Sequence, residues 1–199
     1  MTATAPAGRP RDPEVDRRIT LAAVDLFGEA GWAGFSLEAV ARRAGVGKAS
    51  IYLRWSTKES LLADALATRI IDIADTDTGT LRGDLVDLAR QMLRLYLGES
   101  SRAVQRISVE APSIPGVAQR WEELRGSQVL AARAMVRRGI RRGEIPESAS
   151  VTLLLDTLCG GVAMHVSSTP AHLLPRLVSD VDDYAERLVD FLLRAAIAT

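Results

Sequence analysis

The stretch "GVGKASIYLRW", Gly45 to Trp55, sets a lysine behind two glycines and follows it with a tyrosine, an arginine and a tryptophan. Its backbone N–H groups, ammonium and guanidinium suit the recognition of phosphate. Two phosphates are candidates: that of a nucleotide in a Gly-rich loop, and that of a DNA backbone gripped by a short helix. A nucleotide loop of the form G-x-x-x-x-G-K-[ST], counted back from Gly47 and Lys48, requires glycine at 42 and a hydroxyl at 49. Arg42 and Ala49 stand there. The metal-binding hydroxyl is missing, and the preceding segment reads as a helix where a strand is required.

The DNA alternative needs two short helices joined by a tight turn. The segment "SLEAVARRAG" predicts the first, with Ser36 as N-cap, Leu37, Val40, Ala41 and Ala44 on its inner face, and Gly45 ending it. Ala41 is small where crossing helices must approach, and Ile51 follows Gly45 by six residues, where a second helix returns to the core. On "KASIYLRW", Ile51 and Trp55 are four apart and share the buried face, which leaves Lys48, Ala49, Ser50, Tyr52, Leu53 and Arg54 on the others. Upstream, "DPEVDRRITLAAVDLFGEAGW" predicts a helix opened by Pro13, Glu14 and Asp16 and closed at Gly31. Downstream, "STKESLLADALATRIIDIAD" opens with Ser56 and Glu59 at capping-box spacing.

Over residues 13 to about 66, carried by "ITLAAVDLFGEAGWAGFSLEAVARRAGVGKASIYLRWSTKESLLADAL", the chain resembles the DNA-binding domain of tetracycline-repressor-type (TetR/AcrR) regulators. The resemblance implies a three-helix helix-turn-helix domain over 13–57; before it, Pro6, Gly8, Pro10 and Pro13 mixed with Ala and Thr mark 1–12 as a flexible arm. A fourth helix then leads into an all-α regulatory and dimerisation region over 58–199. Lys48, Ser50, Tyr52, Leu53 and Arg54 would face the major groove or its flanking phosphates, with Lys58 on backbone phosphate. Together with Ala49 and Ser36, these are the candidate DNA contacts. Two departures stand out: Gly47 replaces a frequent capping serine, and Leu53 and Arg54 replace common histidines or aromatics, so base preference does not transfer. Other readings stay open, with Tyr52 as a half-buried core aromatic, Lys58 as a solvated lysine, and Arg9 and Arg11 as solubilising charges on the arm.

The remaining pattern is helical, with stretches near 81–97, 101–110, 116–142, 149–167 and 177–196, so the expected fold is all-α with about nine helices. The chain has 199 residues, 47% hydrophobic and 25% charged, and its 25 basic and 25 acidic side chains balance. Any DNA-binding charge must therefore be placed locally. Residues 1–60 do carry nine basic against seven acidic groups. A single cysteine excludes an intrachain disulfide. The first residues lack an apolar run, and the apolar stretch "VTLLLDTLCGGVAMHV" is interrupted by Asp156. A cytoplasmic protein that keeps off the membrane is expected.

The last two helices look suited to pairing in a homodimer through Leu158, Val162, Val181, Tyr184, Leu188, Phe191 and Leu192, although burial within one subunit is the competing reading. A near-palindromic double-stranded operator would follow from the two-fold. Met92, Tyr96, Trp121, Met135, Cys159, Met164 and His165 are candidates for lining a cavity for a largely apolar small-molecule effector; core packing explains the same residue types. No cofactor and no metal site is expected. A ligand-responsive repressor is the leading function, against a helical enzyme using an apolar C-terminal cavity or a protein-binding scaffold. No Ser/His/Asp arrangement, paired-histidine motif or nucleotide fingerprint supports catalysis.

Overall fold

The structure, a computed structural model, describes residues 12–69 and 74–197, and it contains ten α-helices and no strand among them. They are α1 (Pro13–Gly34), α2 (Leu37–Ala44), α3 (Lys48–Tyr52), α4 (Lys58–Arg69), α5 (Leu81–Leu97), α6 (Ser101–Glu110), α7 (Ala118–Arg141), α8 (Val151–Ser168), α9 (Leu174–Ser179) and α10 (Val181–Ile197). The arm with Arg9 and Arg11, and residues 70–73 of the apolar run after α4, lie outside the described residues.

Local chemistry sets the boundaries. The Asp12 carboxylate accepts the Glu14 N–H at 3.0 Å and Pro13 opens α1. Gly31 takes φ 65°, but the chain makes one further turn to Gly34 instead of ending there. The α4 cap lies one residue later than its spacing predicts. Thr57 and Ser60, not Ser56 and Glu59, exchange the capping hydrogen bonds, with Ser60 N–H to Thr57 Oγ1 at 3.1 Å and Thr57 N–H to Ser60 Oγ at 3.4 Å. The single helix expected over 177–196 is broken at Asp180, whose carbonyl accepts the Tyr184 N–H at 2.9 Å and so begins α10 separately.

Two apolar cores result. The first holds Ile19 and Phe27 of α1, Val40 of α2, Ile51 of α3 and Leu61 and Leu62 of α4, and it continues into Val104 and Ile107 of α6. The second gathers Leu85 and Leu88 of α5, Met135 of α7, Leu158 and Val162 of α8, and Val189 of α10. Tyr96, near the end of α5, packs against both. The division expected at 57/58 is therefore not a division between cores, because α4 and α6 complete the first one.

Charged side chains secure the segment that leads into α5. Asp84, fully buried, accepts from the Thr78 backbone N–H and hydroxyl, both at 2.7 Å, and from Arg138 of α7 at 3.2 Å. Arg138 also reaches Asp75 at 2.7 Å and Arg142 reaches Asp77 at 2.6 Å. A carboxylate at zero exposure is tolerated because donors surround it. Helix α8, at 18 residues with mean hydropathy 1.3, is long and apolar enough to cross a membrane by length and composition. Leu154, Leu155, Leu158, Val162 and Val166 on its inner side are buried in the second core.

Candidate nucleic-acid interface

The turn between α2 and α3 forms as the spacing requires. The Ser36 hydroxyl accepts the Ala39 N–H at 3.2 Å, and Gly45 sits at φ 64°, ψ 38°, a left-handed position where a Cβ is disfavoured. The Val46 N–H then returns to Ala41 O at 3.0 Å and the Gly45 N–H to Arg42 O at 3.4 Å, which closes α2 with paired carbonyls. Gly47 stands at the start of α3 with no side-chain cap. Ile51 and Trp55 are both buried, and the Trp55 indole donates to Asp64 of α4 at 2.9 Å. These two anchors fix which way α3 faces.

The outward face carries Lys48, Ala49, Tyr52 and Leu53, all exposed, with Leu53 at 83% and Tyr52 at 50%. Ser50 is half-buried beside them. Lysine and small or apolar side chains on one solvent-facing helix suit phosphate contact and base-edge readout respectively. Tyr52 is not a core aromatic. Its hydroxyl donates to Glu38 of α2 at 2.9 Å, and this bond together with the Glu38 charge raises the phenol's pKa. The Glu38 carboxyl is held below its usual range by its own backbone N–H, by Tyr52 and by the charge of Lys48.

Two candidates are placed differently from expectation. Arg54 turns inward: it is ion-paired with Asp16 of α1, donates to Ser50 O at 2.8 Å, and its side chain is only 12% exposed. It ties α3 to α1 and belongs to the scaffold of the site. Lys58 is half-buried, its ammonium 3.8 Å from the centroid of the Trp32 ring and 3.4 Å from Phe35 O. The cation rests on an aromatic face, an interaction that the sequence did not disclose. Trp32 in turn stacks on Phe35 with centroids 5.9 Å apart, and its backbone N–H is held by Glu110 of α6 at 2.8 Å. Arg43 pairs with Glu29 of α1 at 2.5 Å, while Arg42 is exposed.

The seven effector candidates do not converge. Met92 and Cys159 line a cavity of about 230 Å³ between α5, α7 and α8. Trp121 lines another, of about 330 Å³, between α4 and α7. His165 stacks on Tyr184 at 3.9 Å and borders a third cavity, of about 330 Å³, with Leu173 and Leu177. Met135 is fully buried in the second core, Met164 is 64% exposed, and Tyr96 fills the junction of the cores. Burial raises the Cys159 thiol to about 11, which keeps it protonated at neutral pH.

Among the dimer candidates, Leu158, Val162 and Leu192 are buried inside the protomer, and Val181, Tyr184 and Leu188 are half-buried against its core. Phe191 alone of that set projects outward, at 63% exposure, and it is accompanied on the outer faces of α8 and α10 by Leu153, Met164 and Ile197. Helix α8 carries Leu153 and Met164 on its outer side as well as leucines and valines on its inner side, so apolar spacing alone could not tell inside from outside.

Comparison with known proteins agrees with this arrangement. Residues 19–65 match the family described as bacterial regulatory proteins, tetR family, and residues 75–192 match the tetracyclin repressor-like C-terminal domain. The chain belongs to the TetR family. It is accordingly a DNA-binding transcriptional regulator of the helix-turn-helix type. It is 32% identical to the HTH-type transcriptional regulator AqdR of Rhodococcus erythropolis over 151 residues, covering 75% of this chain and 73% of the relative. It is 27% identical to the uncharacterized HTH-type regulator YdeS of Bacillus subtilis, covering 78% and 79%. Solved folds similar to this TetR member include PfmR of Thermus thermophilus, with TM-score 0.72, 19% identity and coverage of 94% and 97%. Another is FadR of Bacillus subtilis, solved with stearoyl-CoA, with TM-score 0.68, 20% identity and coverage of 89% and 97%.

Proposed function

We propose that this chain is a homodimeric repressor that binds a near-palindromic operator through α3 and leaves it when a largely apolar small molecule binds the helical region. The observation that carries the reading is the two-sidedness of α3: Ile51 is fully buried while Lys48, Ala49, Tyr52 and Leu53 face solvent. A helix anchored on one side and bare on the other fits a groove. Outward apolar residues on α8 and α10 support pairing of two copies, which would set two α3 helices about one DNA turn apart, roughly 34 to 36 Å.

The cavity between α4 and α7 supports the effector half of the reading. Ala63, Leu66, Val117 and Leu124 give it an apolar side, Arg120, Glu123 and Ser127 a polar one, and the buried Nε1–H of Trp121 has no acceptor among the described residues. A ligand wedged there would press on α4, the helix into which the DNA-binding segment runs. An effector acts by preferring the arrangement of the dimer that fits DNA poorly, and it lowers operator affinity by that preference.

The test is selection of bound sequences from random DNA, followed by titration in rising salt. The expected result is an inverted repeat whose affinity falls steeply as salt rises. Lys48→Ala should weaken binding to every sequence and reduce the salt slope by about one, with an unchanged melting temperature. Failure to enrich any sequence, or binding indifferent to salt, overturns the proposal.

A further inference from the structure

The hydrogen bond from Tyr52 to Glu38 bears on how α3 reads DNA. A phenol carries one proton and two acceptor lone pairs. In this structure the proton is committed to Glu38 Oε1 at 2.9 Å, on a side chain that remains half exposed on the outward face of α3. The Tyr52 oxygen can then only accept. Phosphate oxygens are themselves acceptors, so no hydrogen bond joins them to Tyr52 in this state. The donors within a major groove are the exocyclic amino groups, N4 of cytosine and N6 of adenine.

We propose that Glu38 is a positioning residue that makes Tyr52 a reader of a base amino group instead of a phosphate contact. Glu38 is well placed for this. It lies in the first turn of α2, two residues after the Ser36 cap, so its backbone is fixed by a helix that packs on the core, and the residue is half-buried. Were Tyr52 to turn its proton to a phosphate, Glu38 would be left as an unpaired anion beside the DNA backbone. Like-charge repulsion opposes that state. Lys48, the cation nearest in sequence on α3, supplies the compensating charge on the groove side.

The inference rests on the DNA-binding reading and deepens it. The experiment compares the wild-type dimer with Tyr52→Phe, Glu38→Ala and Glu38→Gln, measuring affinity for the selected operator, for operators altered one base pair at a time, and for random-sequence DNA. Circular dichroism melting confirms that each variant is folded. Tyr52→Phe should lower the ratio of operator to random-sequence affinity roughly tenfold and abolish discrimination at one base pair of each half-site. Glu38→Ala should abolish discrimination at the same base pair, because the freed phenol proton can then go to any acceptor. Glu38→Gln, which keeps a carbonyl acceptor at that place, should retain it.

Equal weakening of operator and random DNA by Tyr52→Phe would mark a phosphate contact and overturn the inference. So would discrimination that survives in Glu38→Ala, or that is lost equally in Glu38→Gln. If wild type itself fails to bind any DNA, it is the regulator reading that falls.

Discussion

Helix α3 and helix α8 each turn one side to a core and the other to solvent, but they do so with different chemistry. On α3 the two sides differ in kind: Ile51 is sealed in, whereas Lys48 and Leu53 are bare. On α8 the inner side is apolar throughout, as at Leu158, and the outer side sets Leu153 and Met164, exposed at 67% and 64%, among Asp156, Thr157 and Gly160. A surface that keeps a lysine and a hydroxyl can stay in water and wait for DNA. Exposed leucine and methionine there, and Phe191 on α10, gain by being covered, at roughly 25 cal/mol for each Å² removed from water.

The sharpest way to test that contrast is to truncate each side of the α8 and α10 pair. Leu158→Ala, which opens a cavity in the second core, should cost about 3 kcal/mol of folding stability, read as a drop of about 6 to 12 °C in melting temperature. Phe191→Ser should leave the stability of the folded chain within about 0.5 kcal/mol and instead raise the dissociation constant of the proposed dimer in sedimentation equilibrium. If Leu158→Ala dissociates the dimer without lowering the melting temperature, inner and outer faces have been exchanged.

A smaller effect is expected where α1 meets α6. A Cβ at Gly31, already at φ 65°, would approach Arg106 Nη1 to 2.7 Å and Glu110 Oε1 to 2.9 Å. Gly31→Ala should cost about 1 to 2 kcal/mol in chemical denaturation, and an unchanged midpoint would show that Glu110 yields freely. The smallest effect concerns Cys159. Its folded value of about 11 lies above its unfolded 9.0, so the stabilisation is whole below pH 9 and is lost as pH rises toward 11. Stability should therefore begin to fall as pH passes 9, and Cys159→Ala should flatten that slope. A slope that persists in the variant would assign it to other groups.

Where local rules act, the sequence was legible. Gly45 could be placed in its turn because Ala41, Gly45 and Ile51 stand at fixed offsets along one short segment. Arg54 was misplaced for the opposite reason. Its partner Asp16 lies on another helix, and a basic residue at the end of α3 looks DNA-facing until that helix is in position. The Thr57 cap was missed by one residue because Ser56 and Glu59 offer the same chemistry at the same spacing. Glu38 and Tyr52 are fourteen positions apart with no shared pattern, so only the crossing of α2 and α3 brings them together. The effector candidates scattered over three cavities because methionine, tryptophan and cysteine fill cores as readily as they line pockets.

The first core, shared by α1 to α4 and α6, also limits how this protein can be recombined. A chimera joined at residue 57 or 58 would keep α1 to α3 but lose Leu61 and Leu62 of α4 and Ile107 of α6 from the core they share, all at zero exposure. A join beyond α4 would still lack α6, because α5 comes between them in the chain. The DNA-binding end is consequently not a cassette: retargeting this regulator means rewriting the surface of α3 in place, with Ile51 and Trp55 left untouched.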